Sequence, residues 1–346
     1  MTTMRAAVLT EPERIEIQER EVPAIGDGQV LVEMSDVGIC GSDVHFYRKG
    51  RIGDYVAEDP LVLGHESAGV VDDVGASVTG LEAGDRVAVE PGVPCRRCEF
   101  CKRGEYQVCQ DVTFMAAPPD DGAFTEYVAW PADFVYPIPK SMSMREAALC
   151  EPLSCGVHVN RTGEVGLGDT VLVTGDGPIG ILAMAVAGAA GATDRLITGR
   201  HDEKLDIAKD LGADRTINVR EEDPAEAIDA YTDGRGVDVA IEATGASAAL
   251  ETAIDAIRPA GQVVLYGLGD RFDATIDVVD HIVTEVDLRA GFRYSNTYPA
   301  AIGLIENGNV DVERIIDFEA GLADVEDGFK RVIDSNVVKG IVSIGE

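Results

Sequence analysis

Short apolar or alternating runs at residues 29–35, 67–71, 85–89 and 123–128 punctuate the first 150 residues, separated by clusters of Gly, Pro and Asp. That spacing predicts an irregular, mostly β domain. From position 169 the texture changes. TVLVTG is followed by GPIGILAMAVAGAAGA, RLITG, a helical pattern over 203–211, TINV, VDVAIEAT and QVVLYG. Strand and helix alternating in this way predict a parallel, doubly wound sheet, an α/β fold. Beyond 288, amphipathic stretches near 298–306 and 325–333 and a last apolar strand at 340–344 are placed to return and complete the first domain. No internal repeat, low-complexity tract or long linker interrupts this order.

A chain of 346 residues with 45% hydrophobic content suffices for two cored domains. Residues 1–10 lack the basic and apolar stretches of a signal peptide, and no run reaches the length of a membrane span, so a soluble, cytoplasmic protein is expected. Acidic residues outnumber basic ones 62 to 29, giving a net charge of -33, and only seven of the basic residues are Lys. Such a charge repels nucleic acid and anionic membranes, which excludes both as partners. It also repels itself at low salt, whereas about 1 M salt cuts the Debye length to about 3 Å. A halophilic source with a salt-rich interior is the expectation; an acidic partner-binding surface is the alternative.

Candidate chemistry sits first in Cys95, Cys98, Cys101 and Cys109, four thiols within fifteen residues of a charged loop. The C-x₂-C-x₂-C-x₇-C spacing suits one tetrahedral structural Zn²⁺ better than buried thiols or two disulfides. Seven cysteines, an odd number, point to a reducing compartment. A more dispersed set, Cys40, His65, Glu66 and Glu151, offers the sulfur, nitrogen and oxygen donors of a zinc site with one position left open for chemistry.

Gly175, Gly177 and Gly180 form G-x-G-x-x-G between an apolar strand and an Ala/Gly-rich helix. There the glycines allow a tight turn and a close approach of a dinucleotide pyrophosphate to the helix N-terminus. About twenty residues on, where an NAD-specific fold presents Asp or Glu to the adenosine ribose, stand Gly199, Arg200 and His201. No carboxylate occupies that strand end, and Arg200 can grip a 2′-phosphate, so NADP(H) is preferred over NAD(H). In the alternative, Arg200 is a solvated loop residue and Asp202 takes the ribose.

At this point the chain resembles the zinc-containing medium-chain dehydrogenases, and within them the sorbitol (polyol) dehydrogenase group. The likeness runs over nearly the whole length. It is carried by GICGSDVHFYRKGRIGDY from Gly38, LGHESAGVV from Leu63, the cysteine lobe, FMAAPPDDGAFTEYV from Phe114, CEPLSCGVH from Cys150, TGDGPIG from Thr174 and GFRYSNTYPAAI from Gly291. The resemblance implies a GroES-like, mostly β catalytic domain at 1–151 and 291–346, with the zinc lobe at 90–112. A Rossmann NADP-binding domain would occupy 152–290.

It further implies catalytic zinc on Cys40, His65 and Glu66, with Glu151 in the remaining protein position, direct or through water. Asp43 would orient His65, Ser42 would pass the substrate proton onward, and His45 would be the outer end of that relay. Tyr47, Phe114, Arg293 and Tyr294 would line a polyol pocket. The cofactor set would be Gly175, Gly177, Pro178, Ile179, Gly180, Gly199, Arg200, His201 and Lys204, with Thr244, Gly267 and Leu268 near the nicotinamide. Two features depart from the family pattern. Gly199 and Arg200 replace the acidic residue usual in NAD-using members, and Cys155 beside Glu151 is an unusual extra thiol. The cysteine lobe is complete here, although some animal sorbitol dehydrogenases lack it.

The activity expected is hydride transfer between a secondary alcohol of a sorbitol- or xylitol-like polyol, or its ketose, and NADP(H), with zinc as Lewis acid. A threonine 3-dehydrogenase or another secondary-alcohol dehydrogenase of the same fold is the nearer alternative. A zinc-binding interaction module without catalysis is the alternative of another class. The resemblance also implies a homotetramer.

Overall fold

Gly, Pro and Asp clusters break the N-terminal region into short strands, some paired with the next strand, as Glu66–Val74 with Arg86–Val89, and others with distant ones, as Gln29–Gly38 with Lys339–Ser343. The structure is a computed structural model that describes residues 2–269 and 273–345. The chain divides into two compact units: Met1–Glu151, Ala301–Glu306 and Ile316–Glu346, and then Pro152–Ala300 with Asn307–Ile315.

In the first unit, a seven-stranded sheet runs Val135–Pro137, Arg86–Val89, Glu66–Val74, Gln29–Gly38, Lys339–Ser343, Ile316–Gly321, with Tyr127–Pro131 also paired to Gln29–Gly38. The apolar C-terminal strand lies antiparallel to Gln29–Gly38, with Ile341 opposite Gly38. On its other side, Gly38 pairs with Glu66. These two registers bring residues from three distant parts of the chain to one strand end. The helix Val325–Asp334, amphipathic as its sequence predicts, buries Val325, Gly328 and Phe329. Its Phe329 joins a core that includes Val30, Val32, Val37, Phe124, Leu322 and Val342.

The second unit holds a six-stranded, all-parallel sheet ordered Arg215–Asn218, Asp194–Gly199, Thr170–Thr174, Val237–Glu242, Ile257–Leu265, Asp287–Ala290. In chain order this is 3-2-1-4-5-6, the doubly wound dinucleotide-binding topology. Val237–Glu242 is buried at every position, as a central parallel strand requires. The Ala-rich helix Pro178–Ala190 buries everything from Gly180 to Ala187. The resemblance put 291–346 whole in the first unit, whereas Gly291–Ala300 and residues 307–315 pack with the second. Local hydrogen bonds explain part of the shift: Tyr266 Oη donates to Arg293 O at 2.6 Å and Arg161 Nη1 to Asn296 O at 3.0 Å. Among the described residues, no helix is long and apolar enough to cross a membrane.

Candidate metal centres and cofactor loop

Cys40 is the N-cap of the helix Gly41–Lys49, in extended conformation, so its thiol projects from the helix start. Asp43, one turn in and buried, ties Cys40, Gly64 and His65 together. Its Oδ2 accepts from Cys40 N at 3.1 Å, its Oδ1 accepts from Gly64 N at 3.1 Å, and Oδ1 lies 3.4 Å from His65 Nδ1. Gly64 has φ +90, and a Cβ there would meet Phe124 and Val37 at about 3 Å, so only glycine turns the chain to present His65 beside Asp43. Glu66 follows on the strand opposite Gly38. The donor atoms of Cys40, His65 and Glu66 all lie within 4.8 Å of one another.

The sequence reading missed Lys339. This lysine is 2% exposed, and its Nζ donates to both Glu66 oxygens, at 2.6 and 2.8 Å, and to Ile39 O at 3.1 Å. Burial would push its ammonium toward neutrality, but the Glu66 carboxylate and Cys40 outweigh that and raise its pKa. A lone lysine inside the apolar run VVKGIVSIG was the available signal. His65 shows the same balance: burial favours the neutral ring, and Asp43 and Cys40 overcome it, holding the imidazole well above its ordinary value. Thiolate, imidazole and carboxylate clustered around so much negative charge fit a borderline-soft divalent ion such as zinc.

The other expected site residues divide. Phe114 lies beside His65, the ring centroids 5.6 Å apart and the planes tilted by 55°. Ser42 is half-buried and His45 exposed, one helical turn apart on Gly41–Lys49. Glu151 is buried at the start of the helix Cys150–Thr162 and acts on Lys339 electrostatically, but it is outside the Cys40, His65, Glu66 group. Cys155 is half-buried on the same helix. Tyr47 requires a correction. Its ring sits in the core 5.1 Å from Phe329, 2% exposed, and its hydroxyl donates to Glu13 O at 3.2 Å, away from the pocket-lining place expected of it. Arg293 and Tyr294 belong to the second unit, Arg293 with φ +50 and its guanidinium over Phe292, Tyr294 buried 5.9 Å from Tyr298.

The four lobe cysteines form a second cluster. Their sulfurs stand 3.3 Å (Cys98 to Cys101), 3.9 Å (Cys95 to Cys101) and 4.0 Å (Cys98 to Cys109) apart. A tetrahedron of Zn–S bonds has edges of about 3.8 Å. Backbone amides of Arg97 and Cys98 lower the Cys95 thiol to about 6, favouring the thiolate that a metal needs.

Behind the lobe lies Glu90, buried, its carboxylate accepting from Tyr106 Oη at 2.7 Å and Tyr136 Oη at 2.8 Å. Burial raises it to about 7 despite both phenols. A carboxyl whose folded pKa lies above its unfolded value stabilises the fold below that unfolded value and loses the contribution as pH rises through the folded one. Between pH about 4.5 and 7.5 this group should therefore cost the wild type up to about 3 kcal/mol. Glu90→Gln should lack that slope, so urea titrations of both proteins across this range should diverge in the variant's favour as pH rises. Parallel curves would refute the assignment.

In the second unit, Gly175 (φ +127) follows Thr170–Thr174, and a Cβ on it would lie 2.8 Å from Thr244 Cγ2. A Cβ on Gly180 would lie 2.0 Å from Gly175 O. Gly177 caps the helix Pro178–Ala190 with no side-chain hydrogen bond, Pro178 and Ile179 opening its first turn, and a Cβ on Gly177 would meet nothing within 4 Å. An uncapped helix N-terminus facing open space fits a pyrophosphate. Thr244 N and Gly245 N donate to Glu242 Oε1 at 2.6 and 2.9 Å, and Gly267 N donates to Glu242 O at 2.9 Å, so Thr244 and Gly267 meet at neighbouring strand ends. Leu268 beside them is 75% exposed. At the second strand end, Arg200 is exposed and Lys204 half-buried on Asp202–Asp210.

The reading that no carboxylate stands at this strand end needs amending. Asp176, inside the glycine loop, places its Oδ2 2.8 Å from Arg200 N, 2.9 Å from His201 N and 2.9 Å from His201 Nδ1. Asp202, the alternative ribose partner, is exposed and accepts from Asn218 Nδ2 at 2.7 Å through Oδ1.

Comparison with known proteins agrees with both halves of this architecture. Residues 26–140 match the alcohol dehydrogenase GroES-like domain, and residues 178–307 match the zinc-binding dehydrogenase family. Sorbitol dehydrogenase of Bacillus subtilis is 43% identical over 330 residues, 95% of this chain and 94% of that protein. D-xylulose reductase A of Aspergillus oryzae is 39% identical over 342 residues, 97% and 95% of the two chains. A structure assigned as a zinc-binding dehydrogenase of Sinorhizobium meliloti, bound to NADP, superposes with a TM-score of 0.93 at 28% identity, covering 99% of this chain and 100% of that one. The chain belongs to the zinc-containing medium-chain dehydrogenases, oxidoreductases that work with a nicotinamide cofactor.

Proposed function

We propose that this protein is a polyol dehydrogenase, interconverting a sorbitol- or xylitol-like secondary alcohol and its ketose with NADP(H) preferred over NAD(H). The observation that carries the reading is the Cys40, His65, Glu66 cluster with Phe114 against His65, in a chain about 40% identical to a sorbitol dehydrogenase and a D-xylulose reductase over nearly its full length. When bound, zinc at that cluster supplies the Lewis acidity that an alcohol needs to lose its proton near neutral pH, and the nicotinamide takes the hydride.

The protein's own residues do the rest. Asp43 holds His65 by Nδ1, which leaves Nε2 for the metal. Ser42 takes the substrate proton, and His45, exposed one turn along the helix, passes it to solvent. Glu151 supplies a further carboxylate to the site. Arg293 and Tyr294 bind flanking hydroxyls, and the four-cysteine lobe holds a structural zinc. Exposed Arg200 at a strand end without a side chain supports NADP(H).

The reading includes a homotetramer, supported by the exposed Val278, Val279, Ile282 and Val283 on a helix beside the sheet-edge strand Asp287–Ala290. It also includes life in high salt without nucleic-acid or membrane partners, supported by the charge of -33. A denaturation midpoint that climbs with KCl is the expected result, and a flat one would point to an acidic docking surface instead. The deciding assay compares polyols, ketoses and L-threonine with both cofactors in molar KCl. Turnover of a polyol with NADP fits the proposal, and turnover confined to threonine contradicts it.

A further inference from the structure

We infer that Asp176 supplies, from within the glycine-rich loop, the carboxylate missing from the strand end at Gly199, and thereby limits how strongly the enzyme favours NADP(H). This rests on the reading that the second unit binds the dinucleotide with its adenosine ribose near Gly199.

Residue 199 is glycine at the end of a parallel strand whose neighbour, Thr170–Thr174, runs directly into the loop that carries Asp176. A Cβ built on Gly199 would lie 2.5 Å from Asp176 Cβ and 2.8 Å from both its Cγ and Oδ2. The carboxylate therefore fills the volume that a strand-end side chain would take. Gly199 is glycine because Asp176 is there, and no larger residue coexists with it. The geometry converts two sequence oddities, an acid inside G-x-G-x-x-G and a missing acid at the strand end, into a single exchange of position.

The contacts leave the carboxylate free to act. Oδ2 accepts from the amides of Arg200 and His201 and faces His201 Nδ1, and every contact that the structure gives this group falls on that one oxygen. The side chain is 14% exposed, and Oδ1 makes no hydrogen bond among the described residues. An oxygen of this kind accepts from the vicinal hydroxyls of an unmodified ribose, and it opposes the charge of a 2′-phosphate. Arg200, next to it and exposed, acts in the other direction. The two side chains set the cofactor ratio against each other, which predicts an enzyme that binds both cofactors rather than one exclusively.

The test is the dissociation constant of NADH and of NADPH, read by nucleotide fluorescence on the zinc-loaded enzyme in molar KCl. Asp176→Asn should shift the ratio toward NADPH by about tenfold, mainly by weakening NADH. Asp176→Ser, which keeps a small acceptor for the two amides and removes the charge, should shift it the same way and guards against a loop failure peculiar to Asn. If both constants move by one common factor, or neither moves, Asp176 only fastens the loop and the inference is overturned. Arg200→Ala should shift the ratio toward NADH. If that variant alone leaves the ratio unchanged, the NADP(H) reading fails while the role of Asp176 stands on its own result.

Discussion

Gly38→Ala is expected to weaken metal retention at the Cys40, His65 and Glu66 site about 10- to 100-fold while the four-cysteine lobe stays loaded. The reason is steric. A Cβ on Gly38 would stand 2.0 Å from Glu66 Oε2 and 3.0 Å from its carboxyl carbon. Glu66 cannot swing aside, because both its oxygens are pinned by Lys339 and the residue is 1% exposed. Either the carboxylate leaves its place or the pairing of Gln29–Gly38 with Glu66–Val74 opens, at a cost of about 1–3 kcal/mol for the overpacking alone. Gly41→Ala is the control: a Cβ there meets nothing within 4 Å and should leave both metals bound. Metal content by elemental analysis after mild chelation checks both variants.

Lys339→Met should destabilise the metal-stripped protein by about 3–5 kcal/mol, because it leaves a buried carboxylate without its counter-ion. Methionine matches the apolar stem in volume, so the loss reports charge rather than packing. The metal-loaded protein should lose less, since a divalent ion beside Glu66 takes over part of the compensation. Urea unfolding of wild type and variant, each with and without metal, separates the two. Equal losses in both states would mean that Glu66 does not face the metal.

These two residues also mark where the sequence stopped being readable. The cysteine lobe was legible because all four donors lie within fifteen residues and need no long-range register. The doubly wound sheet was legible because each strand and helix announces itself locally. Lys339 was not, because it meets Glu66 only through the antiparallel register that sets Ile341 opposite Gly38 and Gly38 opposite Glu66. Tyr47 was misplaced although its helix offered a clue: it lies four residues from buried Asp43 and so shares its inward face. The direction taken by Asp176 depends on loop geometry that no periodicity encodes. The boundary near 291 shifted because residues after the last parallel strand are held by Tyr266 and Arg161, bonds to backbone carbonyls that leave no pattern in the sequence.

The most direct test counts zinc against turnover. The wild type should hold two zinc ions per chain, and Cys40→Ser should hold one and lose polyol oxidation, with chelated wild type regaining activity on zinc return. A Cys40→Ser protein that keeps both ions, or a fully stripped wild type that oxidises polyols at an undiminished rate, would contradict the account.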